Sequence, residues 1–560
     1  MDTQELDEKL ERLAANADRW ARLDVRAKAD LLERIIERTA AVARPLVAKS
    51  LELKQIDPDS PTAGEEWFSG PVPMIRTLRF LHKTLVSLAD NGRPPIERDQ
   101  ILERDDGQTM VDVMPADAWD RAIYPGFEAR VWMQPDVDSG AIYENMASFY
   151  RQRDPEGKLH LSLSVGNVTS IPPLDVIDKM FGEGHVCMLQ LNPVGDYLGP
   201  YVEDAYSELI DEGFLEIVYG GVEMGAYLVS HELVDQIHLT GGVRTHDAIA
   251  YGPGDEGRER KQKDEPRTDV RLTSGLGSIS PVIVAPGPWS EEDLKYHAMS
   301  IVTQVVNNAG FNCNAVQVLI TPKGWNLREP LMAEIGKLLR QTPPRAAFYE
   351  GAHERFDQFR QAYASFEQYG KETDELLPWG LIADVDPADR DSLCFNEETF
   401  CGVMCETALE APDVGYFLAK AVDFCNEHIW GNLNASLVVH PDVAQPHQRA
   451  VESAIADLEY GVVSLNQWPA IAYGLGVVPW GAYPGNTWQD PQSGIGFTHN
   501  SYLFDNPQKT VLRGPFRTRM HPPWFIDHKR AHKLGPRLFD MEHDPSVRPL
   551  LKVLWQELRG

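Results

Sequence analysis

Cysteine is scarce in this chain, which has six among 560 residues. They are irregularly spaced, at Cys187, Cys313, Cys394, Cys401, Cys405 and Cys425. Only Cys401 and Cys405 lie close together, and their spacing is not C-x-x-C. Because no second Cys/His pair has zinc-finger spacing, we expect no metal site. A reducing compartment is the default, so the sequence predicts a cytoplasmic protein.

Long apolar runs and positive charge are also missing. No run approaches the roughly 20 apolar residues that a membrane helix needs. The polar, acidic start of the chain, Met1-Asp2-Thr3-Gln4-Glu5, is unlike a secretory signal. Lys and Arg number 53 against 84 Asp and Glu, a formal net charge of -31. Nucleic acids and anionic membranes bind cationic surfaces, so we expect neither as a partner.

What the chain has is an ordinary globular composition, with 43% hydrophobic and 24% charged residues. Its length is sufficient for two or three domains with substantial cores. Residues 5–50 and 70–90 show helical periodicity, whereas 95–157 read as short strands, turns and acidic loops.

Strands and helices alternate from residue 159 onward. A first block predicts strands at 159–165, 186–191, 215–219 and 234–239, and helices at 174–181, 201–211 and 223–230. A second block predicts strands at 282–285, 315–320, 435–440 and 462–466, and helices at 291–307, 330–339, 414–429 and 446–459. Such alternation is typical of βαβ units and a mainly parallel sheet. The loops after the strands would meet at one edge, where a nucleotide could bind.

Three local features complete this interpretation. Residues 253–270 are charged and interrupted by Gly and Pro, so we expect a solvated loop there. Pro446 suits the first position of its predicted helix, where a missing N–H costs nothing. After Val511 the chain gathers ten Lys and Arg against five Asp and Glu. We expect this basic tail to pack on an acidic face of the protein.

Cys313 is the most informative residue of the second block. A helical pattern ends at Asn307-Asn308-Ala309-Gly310, and a β-rich segment begins at residue 315. The thiol therefore lies on a tight loop, where helix-terminal and loop N–H groups would favour a thiolate. The alternative is a buried structural cysteine, because free Cys often behaves as a small core residue.

Six further short motifs accompany the cysteine loop in a consistent order. They are Gly166-Asn167-Val168, Leu191-Asn192-Pro193, Leu239-Thr240-Gly241-Gly242, 276–281, 396–400 and 479–483. Together the seven motifs resemble those of the aldehyde dehydrogenase superfamily over roughly residues 5–511. The resemblance implies an α/β fold with two doubly wound parallel-sheet domains and a small β oligomerisation element. It also implies a homodimer or homotetramer.

The resemblance assigns catalytic roles to two residues. Asn308-Ala309-Gly310-Phe311-Asn312-Cys313 matches the family's Asn-x-Gly-x-x-Cys loop, which implies that Cys313 attacks the aldehyde carbonyl. The Asn167 amide and the Cys313 N–H would stabilise the oxyanion. Without the resemblance, Asn167 would be interpreted as a turn residue.

A second set of residues would hold NAD or NADP. The resemblance places Glu398 on the nicotinamide ribose and Phe400 nearby; the alternative for Glu398 is a solvated loop carboxylate. Close approach of the rest of the cofactor would depend on small residues at the sheet edge. This sheet-edge set is Asn192, Gly225, Thr240, Gly241 and Gly242.

Two departures from the family pattern affect the expected chemistry. The family's general-base Glu is replaced by Gly275, which cannot accept a proton, so deacylation by water should be slow. The family's Lys-Pro-x-Glu, which grips the adenosine ribose, is Asn192-Pro193-Val194-Gly195 here. Without that carboxylate a 2′-phosphate is not repelled, so NADP is not excluded.

We therefore expect an NAD(P)-dependent oxidoreductase that acts on the aldehyde group of a small or apolar substrate through a Cys313 thioester. The alternatives are a coenzyme A-acylating enzyme or acyl-CoA reductase, and a non-catalytic member of the fold. Phe311, Trp468, Tyr473 and Trp480 suggest an aromatic tunnel, although such residues are often plain core.

The expected domains follow the same resemblance. They are a dinucleotide-binding domain at 1–115 and 160–272, a catalytic domain at 273–480, an oligomerisation element at 116–159 and 481–511, and a C-terminal extension at 512–560. We expect the extension near the oligomer interface or the mouth of the substrate tunnel.

Overall fold

The structure, a computed structural model, describes residues 3–559. Met1, Asp2 and Gly560, at the outer limits of the first and last predicted domains, lie outside the described residues. The architecture is α/β with two large, mainly parallel sheets, which confirms the predicted fold class.

The first sheet has six strands and lies within the predicted dinucleotide-binding half. In spatial order these are Gly494–Ile495, Arg271–Leu276, Gln236–Gly241, Leu159–Ser164, Val186–Leu191 and Leu215–Tyr219. All neighbours are parallel except Gly494–Ile495, which pairs antiparallel with the second strand. The parallel strands are buried almost throughout, as expected for a sheet covered by helices on both faces.

The second sheet has eleven strands. In spatial order these are Ile101–Glu103, Thr109–Met114, Glu128–Met133, Pro507–Arg513, Val462–Leu465, Asn434–Val438, Ser280–Val284, Val316–Pro322, Val403–Leu409, Trp379–Ile382 and Phe366–Tyr369. The run from Pro507–Arg513 to Trp379–Ile382 is parallel, and the strands outside it are antiparallel. Of the strands in the expected oligomerisation element, Glu128–Met133 and Pro507–Arg513 belong to this second sheet, whereas Gly494–Ile495 joins the first.

Helices cover both sheets. The α-helices are Thr3–Ala21, Val25–Leu53, Gly64–Ser69, Pro71–Asn91, Ala118–Ile123, Ile171–Ile177, Gly199–Ala205, Ser207–Asp211, Val222–Val229, Val243–Ala250, Gly254–Lys263, Glu291–Val306, Arg328–Gln341, Ala352–Ala362, Leu393–Asn396, Val414–His428, Pro441–Ala444, Gln448–Asp457, Ala470–Leu475, Ala531–His543 and Val547–Glu557. Within residues 3–559, none of them is long and apolar enough to cross a membrane.

Two local predictions are wrong. The expected solvated loop at 253–270 contains the helix Gly254–Lys263. Its first turn is acidic and its last turn basic, which complements the helix dipole and stabilises a helix that is polar on all sides. Pro446 does not begin a helix: the preceding helix starts with Pro441, and the next begins at Gln448.

The C-terminal segment bridges the two halves of the molecule. After its strand, the chain crosses the helix Glu291–Val306, where Arg517 lies 3.1 Å from Asp293. The next helix, Ala531–His543, packs on the N-terminal helices Gly64–Ser69 and Pro71–Asn91. The basic tail thus contacts acidic residues of its own chain.

Arg76 fixes the far end of this bridge. Its guanidinium is fully buried and lies 2.8 Å from both Asp120 and Glu542. Glu542 belongs to the C-terminal segment, so one buried cation joins that segment to the N-terminal helices. Breaking a buried pair by removing one partner is costly, because the other charge stays buried without compensation.

We expect Arg76→Ala to lower the free energy of unfolding by about 3–5 kcal/mol, since it leaves the buried Asp120 without an ion-pair partner and Glu542 with Arg79 alone. Urea denaturation followed by circular dichroism would measure the change. The control is Arg34→Ala, which removes a half-exposed ion pair with Glu208 and should cost no more than about 1 kcal/mol. Equal losses in the two variants would contradict the assigned role of Arg76.

Candidate active site

The Cys313 loop begins with three consecutive left-handed residues. Asn308, Ala309 and Gly310 have φ values of 52°, 57° and 82°. At Gly310 an added Cβ would lie 2.5 Å from the backbone of Cys401, so a side chain does not fit there. Left-handed conformations of non-glycine residues cost free energy and persist only where the surroundings hold them.

A buried hydrogen-bond network holds this strained turn. The Asn308 side-chain amide donates to the carbonyl oxygens of Asn167 (2.9 Å) and Phe311 (3.1 Å). Its oxygen accepts from the Lys54 ammonium at 2.9 Å. Lys54 is itself buried and paired with Glu66 at 2.8 Å. One charged pair therefore fixes the loop that carries the thiol.

Glu65 supports the same turn from the other side. Its carboxylate accepts the Asn308 backbone N–H at 3.0 Å and pairs with Arg345 at 3.1 Å. The sequence alone does not indicate Lys54, Glu65, Glu66 or Arg345 as residues of the site. They lie far from Cys313 in sequence, and no motif marks them as its neighbours.

The Cys313 thiol lies at the wall of a cavity of about 510 Å³. It is partly exposed, whereas the other five cysteines are buried. Burial raises the pKa of the Cys313 thiol to about 12, and the nearby Glu398 charge adds to this effect. Its own backbone N–H acts in the opposite sense. The expectation that the loop favours a thiolate is wrong, because the desolvation of the Cys313 thiol outweighs the effect of the amide dipole.

Asn167 lies in the loop after the strand Leu159–Ser164, directly against the cysteine loop. Its side-chain amide donates to the Phe311 carbonyl at 3.0 Å, and the amide oxygen has no partner among the described residues. One amide N–H thus supports the loop, and the second is left for another acceptor.

The charge of Glu398 acts on the Cys313 thiol. Its carboxylate is buried and accepts the Ser278 N–H at 3.1 Å. Burial raises its pKa to about 7. The predicted alternative, a solvated loop carboxylate, does not describe this environment.

Phe400, two residues after Glu398, has a strained backbone conformation, with φ of 38°. Its ring meets Tyr349 edge-on, with ring centres 5.0 Å apart, and its carbonyl accepts from Arg355 at 3.3 Å. Backbone strain thus occurs at the cysteine loop and again at this predicted cofactor residue.

The sheet-edge residues lie apart from the cysteine loop. Thr240 and Gly241 end the strand Gln236–Gly241, and Gly242 precedes the helix Val243–Ala250. Among the described residues no side chain caps this helix, and a Cβ on Gly242 would meet nothing within 4 Å. Uncapped N–H groups beside bare glycines fit a phosphate group.

The other residues of the sheet-edge set are less clearly placed to bind a cofactor. Thr240 donates its hydroxyl to the buried Asp175 at 2.8 Å, so that oxygen turns inward. The Asn192 side-chain oxygen accepts the Gly195 N–H at 2.9 Å and closes its own turn. A Cβ on Gly225 would lie 3.0 Å from the Gln190 side chain, a tight contact.

Gly275 faces open space. It pairs with Thr240 across neighbouring strands, and an added Cβ would meet only the Thr240 hydroxyl, at 3.9 Å. The missing side chain therefore leaves room at the edge that the predicted cofactor residues share. Open space there and the glycine-lined helix start both fit a dinucleotide.

Aromatic side chains form much of the cavity wall. Trp468, Tyr473 and Trp480 line it, as the tunnel interpretation expects. Phe311 does not: it is fully buried and packs edge-on against Phe348, with ring centres 4.8 Å apart. For Phe311 the core alternative holds, because its position inside the turn faces the protein interior.

The sequence model of the aldehyde dehydrogenase family matches residues 199–481. N-succinylglutamate 5-semialdehyde dehydrogenase 1 of Caulobacter vibrioides is 34% identical over 110 residues, which is 20% of this chain and 20% of that protein. The chain thus spans about a fifth of the length of the curated relative it matches.

Solved structures extend the likeness to the whole fold. An NADP-dependent glyceraldehyde-3-phosphate dehydrogenase from Bacillus halodurans, solved with NADP, superposes with a TM-score of 0.60 at 17% identity, covering 91% of each chain. An NAD-dependent aldehyde dehydrogenase from Sinorhizobium meliloti gives 0.59 at 16% identity, covering 93% of this chain and 88% of that one. The matched sequence model spans half of the chain, and the chain belongs to the aldehyde dehydrogenase family.

Proposed function

We propose that this protein oxidises an aldehyde, with NAD or NADP as the hydride acceptor, through a covalent bond between the substrate and Cys313. The observation that carries the proposal is the position of this thiol. It lies on a strained turn held by a buried ion pair, at the wall of a cavity large enough for a small organic substrate.

The chain's own groups suit the first step. The sulfur of Cys313 would bond to the carbonyl carbon, and the carbonyl oxygen would take up the negative charge. The Cys313 backbone N–H and the second N–H of the Asn167 amide would stabilise that oxyanion. Because the resting thiol is protonated, a base must take its proton; among the described residues, Glu398 is the carboxylate whose charge acts on this thiol. A pKa of about 7 suits Glu398 to that task.

A nicotinamide dinucleotide, when bound, would supply the hydride acceptor. Gly241 and Gly242 would admit its pyrophosphate to the free N–H groups of the helix Val243–Ala250. Phe400 and Glu398 would border the nicotinamide end. Residues 192–195 include no carboxylate that would repel a 2′-phosphate, which supports use of either dinucleotide; the nearest one along the chain is Asp196.

A coenzyme A-linked reaction is the second candidate, and Gly275 favours it. The residue provides no base to activate water, and it faces open space in which a thiol acceptor could approach. The acyl group on Cys313 would then pass to the acceptor sulfur instead of to water.

Cys313→Ser should lower turnover of aldehydes by at least about a thousandfold, since the hydroxyl is a far weaker nucleophile than the sulfur. Dinucleotide reduction measured by absorbance would test this. Cys425→Ser, which changes a buried cysteine of the catalytic half, is the control and should retain activity. Full activity of the Cys313 variant would exclude the covalent mechanism.

The raised pKa of Cys313 predicts slow alkylation at neutral pH. The rate with iodoacetamide should rise roughly tenfold per pH unit between about pH 7 and 9, because only the thiolate reacts. In Glu398→Gln the rate at a given pH should be higher, since a charge that raises the pKa is removed. Cys313→Ser gives the background from the buried cysteines. A rate that is constant over this range would mean that the thiol is already ionised.

Gly275→Glu tests how the acyl group leaves. The added carboxylate has room, and it should raise turnover without coenzyme A by about a hundredfold if water activation is limiting. Gly275→Gln has the same shape but no basic carboxylate and serves as the matched control. Equal rates in both variants and the wild type would show that residue 275 does not limit deacylation.

A further inference from the structure

The C-terminal segment forms one wall of the cavity that Cys313 borders. Its contribution includes Thr518, Trp524, Leu538, Val553 and Glu557. All of these lie beyond residue 481, where the match to the family model ends. The family model therefore does not describe this wall.

Hydrogen bonds and a ring contact hold the C-terminal segment in place along the cavity. Thr518 hydrogen-bonds to Tyr296 at 3.1 Å, and the Ile526 N–H donates to the Thr303 hydroxyl at 3.2 Å. Trp524 packs edge-on against Phe127, with ring centres 6.3 Å apart. The segment thus lines the cavity in a defined conformation.

Two charged residues that line the cavity have ion-pair partners. Arg517 lies 3.1 Å from both Asp293 and Glu292, and Glu65 pairs with Arg345. These charges are satisfied by the protein itself, so they offer little to a ligand. Arg519 also lines the cavity; it is exposed and has no ion-pair partner among the described residues.

Glu557 also lacks an ion-pair partner among the described residues, and it is less exposed than Arg519. It lines the cavity from the end of the helix Val547–Glu557, and one of its carboxyl oxygens is buried without a hydrogen-bond partner among the described residues. Burial raises the pKa of Glu557 to about 7. Its charge also reaches Tyr124, a second residue of the same cavity. A buried acceptor without a partner is costly unless a ligand supplies a donor.

We propose that the cavity receives an apolar or aromatic aldehyde that carries a hydrogen-bond-donating group, a hydroxyl or an ammonium, and that Glu557 accepts this hydrogen bond. The inference rests on the proposed function for the aldehyde group, whereas the donor preference depends on Glu557 alone. Glu557 would then select among substrates without touching the reacting carbonyl.

Calorimetric titration with unreactive ethers tests the preference without any turnover. The probes are hexyl methyl ether, methoxyhexanol and methoxyhexylamine, added to the full chain in the absence of dinucleotide. Hexyl methyl ether has no hydrogen-bond donor, and the wild type should bind at least one of the other two probes about tenfold more tightly than this ether. Preference for methoxyhexanol identifies a hydroxyl, and preference for methoxyhexylamine identifies an ammonium.

Variants separate the role of Glu557 from a general effect of the helix. Glu557→Leu should abolish the preference while hexyl methyl ether still binds. Glu557→Gln keeps an acceptor oxygen and should retain a hydroxyl preference but lose an ammonium preference. Lys552→Met, an exposed change on the same helix, should leave the preference intact. Thermal unfolding of each variant would verify that it is folded.

The proposal is overturned if the wild type binds the three probes equally, or if Glu557→Leu keeps the preference. A failure of the proposed function gives a different result. In that case the corresponding aldehydes are not oxidised, or Cys313→Ser still oxidises them, while the binding preference is unaffected.

Discussion

The buried pair of Lys54 and Glu66 is the interaction on which the rest of the site depends. An ammonium removed from water must be compensated, and here the carboxylate and the Asn308 side chain share that task. The same contact holds Asn308 in a left-handed conformation, from which the chain turns towards Cys313. The reactive loop is strained, so its shape depends on a charge from a distant part of the sequence.

Opposing effects set the pKa of the Cys313 thiol. Its own amide favours the thiolate, but burial and the Glu398 charge favour the thiol more strongly. A protonated thiol in the resting protein is protected from oxidation, since the thiolate is the reactive form. Burial raises the pKa of Glu398 to about 7, so the negative charge that raises the pKa of the thiol depends on how well solvated the cavity is.

Periodicity and local motifs predicted what depends on neighbouring residues. The strands Val186–Leu191 and Leu215–Tyr219 have the predicted bounds, because their apolar runs are bordered by clear turns. The Cys313 loop was found through its glycine and asparagines. The Lys54 contact, the pKa of the thiol and the wall around Glu557 could not be predicted, because each depends on residues that only the folded chain brings together.

The bridge made by the C-terminal segment also has a consequence for local fluctuations. The helix Ala531–His543 of this segment is joined to the N-terminal helices by the buried pair of Arg76 and Glu542. Separating them would expose two charges to an apolar interior, so small openings of this wall are suppressed. Backbone amides in the helix Ala531–His543 should therefore exchange with solvent only when the core itself unfolds. The part of the cavity wall that this helix supplies is then as rigid as the core, so a ligand meets it in one shape.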